Sequence, residues 1–276
     1  MKVSLLGLGI IGTAWAPHYR AAGYELKVWN RTPQQVEGYE EDIAACVEGA
    51  DVVQIVVSDP PAVENVIDAI ESKLGPDMLV IQSSTISSPW ARKFCDRVQA
   101  KGAGYVEAPF TGSKVAAEQA QTVFFLGGDE AHLPQAQNVL GAVSQKCFQV
   151  GTVEQACGLK LSMNLQIALI SQALNEGLTL ARQFKLSDEK FFEVLGLNVA
   201  HSGLADLKQS KLMARDYAPQ FSVKHMHKDL CLALDSADPG ILPLTKSNAE
   251  LYQRGMDQGW ADDDFTALIE LLKKVS

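Results

Sequence analysis

One lysine and one asparagine stand four residues apart in an otherwise apolar stretch, Gly158-Leu159-Lys160-Leu161-Ser162-Met163-Asn164. Residues four apart on a helix share a face, so Lys160 and Asn164 point the same way, and Ser171 and Asn175 continue the seam. Leu159, Leu161, Met163, Leu165, Ile167, Leu169, Ile170 and Leu174 cover the other directions, the pattern of a helix buried nearly all round. Burying an ammonium costs several kcal/mol unless it is paired or lines a wet cavity. A lysine kept there suits one task, which is to stabilise and protonate an oxygen that gathers negative charge. The competing reading is a lysine whose head snorkels to water near the helix start; the helix alone does not choose between the two.

The elements that must position such a group begin at the first residues. Val3-Ser4-Leu5-Leu6 reads as a buried strand that runs into Gly7-Leu8-Gly9-Ile10-Ile11-Gly12 and then into a helix through about Ala22. A lone G-x-G-x-x-G is a weak signal. Between a strand and a second strand, Leu26-Lys27-Val28-Trp29, it has the setting of a dinucleotide fingerprint. Gly7 permits the tight turn, Gly9 lets the backbone approach a pyrophosphate, and Gly12 lets helix and strand pack closely. The pyrophosphate then rests on free N–H groups of the first helical turn, at Ile10, Ile11 and Gly12. The second strand ends in Asn30-Arg31-Thr32, where an NAD enzyme usually carries a carboxylate for the ribose hydroxyls. Arg31 can pair with a 2′-phosphate, and Asn30 and Thr32 can donate hydrogen bonds to it, so the expected cofactor is NADP.

Asp51 to Val57 and Met78 to Ile81 read as further strands, ending in Ser58-Asp59-Pro60-Pro61 and Gln82-Ser83-Ser84-Thr85. Strands alternating with helical patterns predict a Rossmann-type, doubly wound parallel sheet. Ligands bind such sheets outside the carboxyl ends of the strands, which places Ser58 and Thr85 on the cofactor's path, although short polar residues there are also plain turn formers. Gly104 to Glu107 is another strand, followed by Ala108-Pro109-Phe110-Thr111-Gly112-Ser113-Lys114. Hydroxyls and N–H groups at Thr111, Gly112 and Ser113 suit a small carboxylate, or the serine caps a helix starting near Lys114. Gln121 to Leu126, a helix over Ala131 to Leu140 and a strand over Cys147 to Val150 complete a first domain, residues 1–152.

From about Val153 the period becomes helical and stays so. The second domain, residues 153–276, is expected to be all-α: a long helix to about Phe184, one capped by Ser187 and stopped by Gly196, and others over Leu204 to Met213, Val223 to Ala237, Leu242 to Arg254 and Phe265 to Lys274. So long an apolar helix has too little partner surface in one subunit, which predicts a homodimer or homotetramer. Lys228 and Asp229 are compatible with a solvated face. Asp262-Asp263-Asp264 is adjacent rather than spaced, so it reads as a helix cap before Phe265 and not as a metal site; no metal is expected. The chain has 276 residues, 47% hydrophobic and 21% charged, with a net charge of −9. That balance argues against nucleic acid or an anionic membrane surface as partner. Five scattered cysteines without a CxxC pair, and no apolar run of the ~20 residues a membrane span needs, point to a soluble, cytoplasmic protein. Cys157, just before the lysine stretch, reads as a small buried residue rather than a nucleophile.

These blocks, in this order, resemble the β-hydroxyacid dehydrogenase family over the whole chain: the GLGIIG turn, Trp29-Asn30-Arg31-Thr32, Ser84-Thr85, Glu107 to Lys114, Gly158-x-Lys160-x-x-x-Asn164 and Lys228-Asp229-Leu230. The wording WNRT, GSK and KHxxKD is similar to its glyoxylate and succinic semialdehyde reductase branch. The resemblance implies that Lys160 is the catalytic lysine and Asn164 its orienting partner. It also implies that Thr85 and Thr111 line the substrate, that Phe221 and Asp229 close over it, and that Lys228 lies near the nicotinamide. The branch usually has Ser where Thr111 stands, and Asp or Gly where Glu107 stands. The expected activity is NADPH-dependent reduction of a small carboxylate-bearing aldehyde to a hydroxy acid. Alternatives are a dehydrogenase of the 3-hydroxyisobutyrate type, an imine reductase, and an NADP-binding sensor without turnover; Lys160 and Arg31 argue against them.

Overall fold

Short apolar runs form the centre of the first compact unit, Met1–Leu161, in the computed structural model, which describes residues 1–272. Strands β1 (Lys2–Leu6), β2 (Glu25–Trp29), β3 (Val52–Ile55), β4 (Leu79–Gln82) and β5 (Gly104–Glu107) pair in parallel in the order β2-β1-β3-β4-β5. Every residue of β3, β4 and β5 is buried, as expected of parallel strands covered on both faces. One face packs Trp15 and Tyr19 of α1 (Ile10–Ala21) with Leu133 and Val139 of α6 (Leu133–Leu140). The other packs α2 (Ile43–Val47), α3 (Pro60–Ile70) and α4 (Ser88–Gln99) through Val47, Ile67 and Phe94.

The far edge departs from the all-parallel sheet expected from the sequence. Phe110–Thr111 (β6) pairs antiparallel with β7 (Thr122–Gly128), which also runs antiparallel to β5 and parallel to β8 (Ser144–Gly151). Only the five-residue α5 (Lys114–Glu118) lies between β6 and β7. That connection doubles back as a hairpin, too short for the crossover that parallel neighbours require.

Helix α7 (Val153–Gln183) enters through a capping box: Thr152 N donates to Gln155 Oε1 at 2.8 Å, and Gln155 N to Thr152 Oγ1 at 3.4 Å. A Cβ at Gly127 would lie 2.1 Å from the Thr152 carbonyl oxygen, so only glycine lets β7 approach this turn. Val153 and Cys157 join the core of the sheet unit. The compact units accordingly divide at 161/162, inside the helix rather than at 152/153 before it.

The second unit, Ser162–Ser276, is helical among the described residues: the rest of α7, then α8 (Asp188–Leu195), α9 (Gly203–Ala214), α10 (Val223–Ser236), α11 (Pro243–Asp257) and a 3-10 helix Phe265–Leu272. The expected end of the last helix at Lys274 lies outside the described residues. Ser187, Ser202 and Ser222 cap α8, α9 and α10 by accepting from Lys190, Ala205 and His225 N–H groups. Along α7 the all-round burial does not hold, because Ile170 and Leu180 are 40% and 56% exposed. Asp264 is more than a cap. It accepts from Thr266 N at 3.2 Å, but it is fully buried and takes Lys208 Nζ at 2.8 and 3.0 Å. No helix of the described residues is long and apolar enough to cross a membrane.

Candidate active site

Parallel strands in one sheet end along one edge, so the segments after β1 to β5 share it. Gly7 has φ +115°, and a Cβ there would sit 2.1 Å from the Val56 carbonyl oxygen. A Cβ at Gly12 would sit 1.9 Å from the Gly7 carbonyl oxygen. Both glycines are therefore needed by the turn itself. Gly9 is different: a Cβ there would meet nothing within 4 Å. It stands at the N-cap of α1 with no side-chain cap and no acidic residue in the first turn, which leaves the first N–H groups of the helix and its positive end open to a pyrophosphate. The loop fits a dinucleotide.

Asn30 also ties its own neighbourhood together. Its Oδ1 accepts from Leu8 N at 3.0 Å and its Nδ2 donates to Thr32 O at 2.9 Å. With Gln34 Nε2 donating to Leu8 O at 2.8 Å, it ties the end of β2 to the glycine turn. Arg31 and Thr32 are exposed and form the outer lip. Ser58 is also exposed and donates to Asp59 Oδ2 at 2.7 Å. Ser84 turns inward, accepting from Val57 N at 2.8 Å, while its neighbour Thr85 is half-buried.

Phe110 lies against Trp15 and Phe124 with ring centroids 5.0 and 5.9 Å apart, a rigid platform at the end of β5. Lys160 Nζ, half-buried, stands 5.8 Å from the centre of its ring. Thr111 follows directly, half-buried, and Gly112 at φ +134° turns the chain toward the exposed Ser113. Ser113 occupies the N-cap position of α5 without a side-chain cap bond, so the helix does not consume its hydroxyl. Lys160 and Asn164 lie on one helix, one turn apart.

In the helical unit, Asn164 is buried and donates Nδ2 to Asp229 Oδ2 at 2.5 Å. Asp229 is 2% exposed, so the solvated-face reading of the Lys228–Asp229 pair is overturned. Its Oδ1 lies 3.0 Å from Lys228 Nζ, yet outside good hydrogen-bond geometry. Phe221, half-buried, directly precedes the Ser222 cap of α10, and its N–H and that of Gln220 donate to Asp264 Oδ2 at 3.4 and 2.9 Å. Burial works against the charge on Asp264, but Lys208 and these donors outweigh it and hold the carboxyl below its ordinary value. Burial lowers Lys208 from its ordinary value.

Reading from sequence missed a buried polar row beneath the strand ends. Tyr19 donates to Gln54 Oε1 at 2.6 Å, and Gln54 Nε2 to Ser83 Oγ at 3.1 Å. Beside it, Gln82 and Glu107 are register partners on β4 and β5, and Gln82 Nε2 donates to Glu107 Oε1 at 2.8 Å. Tyr105 donates to Glu107 Oε2 at 2.7 Å. Burial raises Glu107 to about 8, against the pull of the Tyr105 and Gln82 donors. The available signal was a polar residue closing each of two apolar strands.

Residues 2–151 match the family profile for the NAD binding domain of 6-phosphogluconate dehydrogenase, and residues 155–272 that for the NAD-binding region of NADP-dependent 3-hydroxyisobutyrate dehydrogenase. Glyoxylate/succinic semialdehyde reductase 1 of Arabidopsis thaliana is 28% identical over 99% of this chain and 99% of its own. The chloroplastic reductase 2 of the same plant is 27% identical over 99% of this chain and 80% of its own. The Mycobacterium tuberculosis 3-hydroxyisobutyrate dehydrogenase solved with L-serine has TM-score 0.89 and 26% identity, covering 99% of both chains. With a glycine turn that fits a dinucleotide and a lysine near an aromatic platform already described, the chain belongs to the β-hydroxyacid dehydrogenase family and is an NAD(P)-dependent oxidoreductase acting on CH–OH groups.

Proposed function

We propose that the chain reduces small aldehyde acids, of the size of glyoxylate and succinic semialdehyde, to hydroxy acids with NADPH. The observation that carries this reading is Lys160: a half-buried ammonium near the Phe110 platform, at the loop that also holds Thr111, Gly112 and Ser113. Gly7, Gly9, Ile10, Ile11 and Gly12 hold the pyrophosphate, and Ser58 and Thr85 line the cofactor's path. Arg31 takes the 2′-phosphate, unopposed by any carboxylate at Asn30 or Thr32. Bound NADPH supplies the hydride. Lys160 stabilises the oxygen as it becomes an alkoxide and gives it a proton from Nζ; the resulting amine is reprotonated from solvent. Thr111 and the Gly112–Ser113 turn hold the substrate carboxylate, so the carbonyl meets the lysine as an intramolecular partner. Asn164 orients the lysine, with Asp229 fixing the amide through the bond described above. Phe221 is proposed to serve the substrate and Lys228 the nicotinamide end of the cofactor, as the resemblance to the family implies. The names of the Arabidopsis relatives support the choice of substrates.

The test is cofactor consumption by purified protein with glyoxylate, succinic semialdehyde and a cyclic imine, each with NADPH and with NADH. Turnover of the two acids with NADPH is expected. Turnover confined to the imine, or equal rates with both cofactors, overturns the reading.

A further inference from the structure

Phe110 is half-buried, while the rings of Trp15 and Phe124 beside it are fully buried. Its backbone pairs with β7, opposite Phe124 in the register, and Phe125 N donates to the Pro109 carbonyl at 2.9 Å. Trp15 meets the Phe110 ring in a T-shaped contact, with centroids 5.0 Å apart and planes at 70°, and Phe124 packs against both rings at 5.3 and 5.9 Å. The indole is itself tied down, because Trp15 Nε1 donates to Thr122 Oγ1 at 3.0 Å in the buried interior. The Phe110 ring is thus fixed through its backbone and through both neighbours, all inside the sheet unit. Over it, 5.8 Å from the centroid, stands Lys160 Nζ. The negative face of an aromatic ring attracts a cation out to about 6 Å, through a charge that a neutral amine lacks. The ring therefore favours the charged lysine that the proposed reduction consumes.

We propose that Phe110 is a positioning residue for the reduction: the π face of its ring holds the Lys160 ammonium where the chain leads into the Thr111–Ser113 turn, and Trp15 and Phe124 hold the ring. The inference rests on Lys160 being the proton donor of the proposed function. It gives the half-buried ring an electrostatic task, where packing alone would ask only for apolar volume. At 5.8 Å the attraction is near the end of its reach, so the effect is several-fold rather than hundredfold.

The test replaces Phe110, in the full chain, by phenylalanines carrying one, two or three ring fluorines. Fluorine withdraws charge from the face and leaves the shape of the ring nearly unchanged, so electrostatics and packing separate. The logarithm of kcat is expected to fall in step with the fluorine count, by about fivefold in all, with NADPH affinity unchanged. A second readout needs no turnover: the rate at which trace acetic anhydride acetylates Lys160, relative to the exposed Lys185, read by mass spectrometry. That ratio should rise along the same series, as the ammonium is held less. Equal kcat and equal labelling in the parent and all three fluorinated chains overturn the proposal, because a ring needed only for packing would not register the fluorines. If the parent chain reduces no aldehyde acid, the proposed function falls, and the labelling series still decides this inference.

Discussion

Two residues show how chemistry and surroundings divide the work at the smallest scale. Arg31 is exposed, and the side chain beside it, Asn30, is committed to the glycine turn. Under the proposed function, discrimination between cofactors falls on the arginine. Arg31→Asp should weaken NADPH binding by at least about tenfold, the worth of one charge-assisted contact, with a smaller change for NADH; equal effects in fluorescence titrations with both would remove Arg31 from this role. Glu107 gives a pH signature. Its folded carboxyl titrates near 8 against an ordinary value of 4.5, because burial disfavours the charge. The folded state thus holds the proton more tightly, so this group's stabilising contribution is complete below 4.5 and is lost as pH rises through 8. Facing it are Tyr105, Cys157 and Cys95, all raised by burial and neutral across this window, and the uncharged Gln82. Between pH ~5 and ~8.5 the thermal midpoint of the parent chain should fall more than that of Glu107→Gln; parallel curves would contradict the assignment.

Among the elements, those with strong local grammar were legible in the sequence and those fixed by partners were not. The glycine turn, the Ser187 cap and the extent of α7 could be read directly, because each depends on residues within a few positions. The antiparallel edge could not: Phe110–Thr111 is too short to show a period and becomes a strand only by pairing with β7. Nor could the inward use of Asn30 or the network at Glu107, whose partners are 22 to 25 residues away for Leu8 and Gln82. Lys208 and Asp264 are the clearest case, 56 residues apart and buried together. This pair holds the Gln220–Phe221 segment that leads into α10. Lys208→Met leaves the Asp264 carboxylate buried without its cation and should cost about 3–5 kcal/mol in chemical denaturation. Adding Asp264→Asn should recover a large part of it. A single variant within about 1 kcal/mol of the parent would show that the backbone donors alone suffice.

For the whole molecule, two family profiles cover nearly the entire chain, and the order of blocks in the sequence already pointed there. The helical unit leaves Phe184, Leu186, Val194 and Leu197 between 51% and 92% exposed, together with the open face of α7 at Ile170 and Leu180. Apolar surface of that extent suits a second copy of the chain, and light scattering should return a mass of two or four chains; a single 29.9 kDa species would contradict it. The central claim concerns Lys160, and the most direct measurement is Lys160→Ala, with NADPH affinity and aldehyde-acid turnover determined on the same preparation. The account predicts affinity within about twofold of the parent and a loss of turnover on the order of a hundredfold or more, as removal of a general acid produces. Turnover unchanged in a variant that still binds NADPH would contradict it.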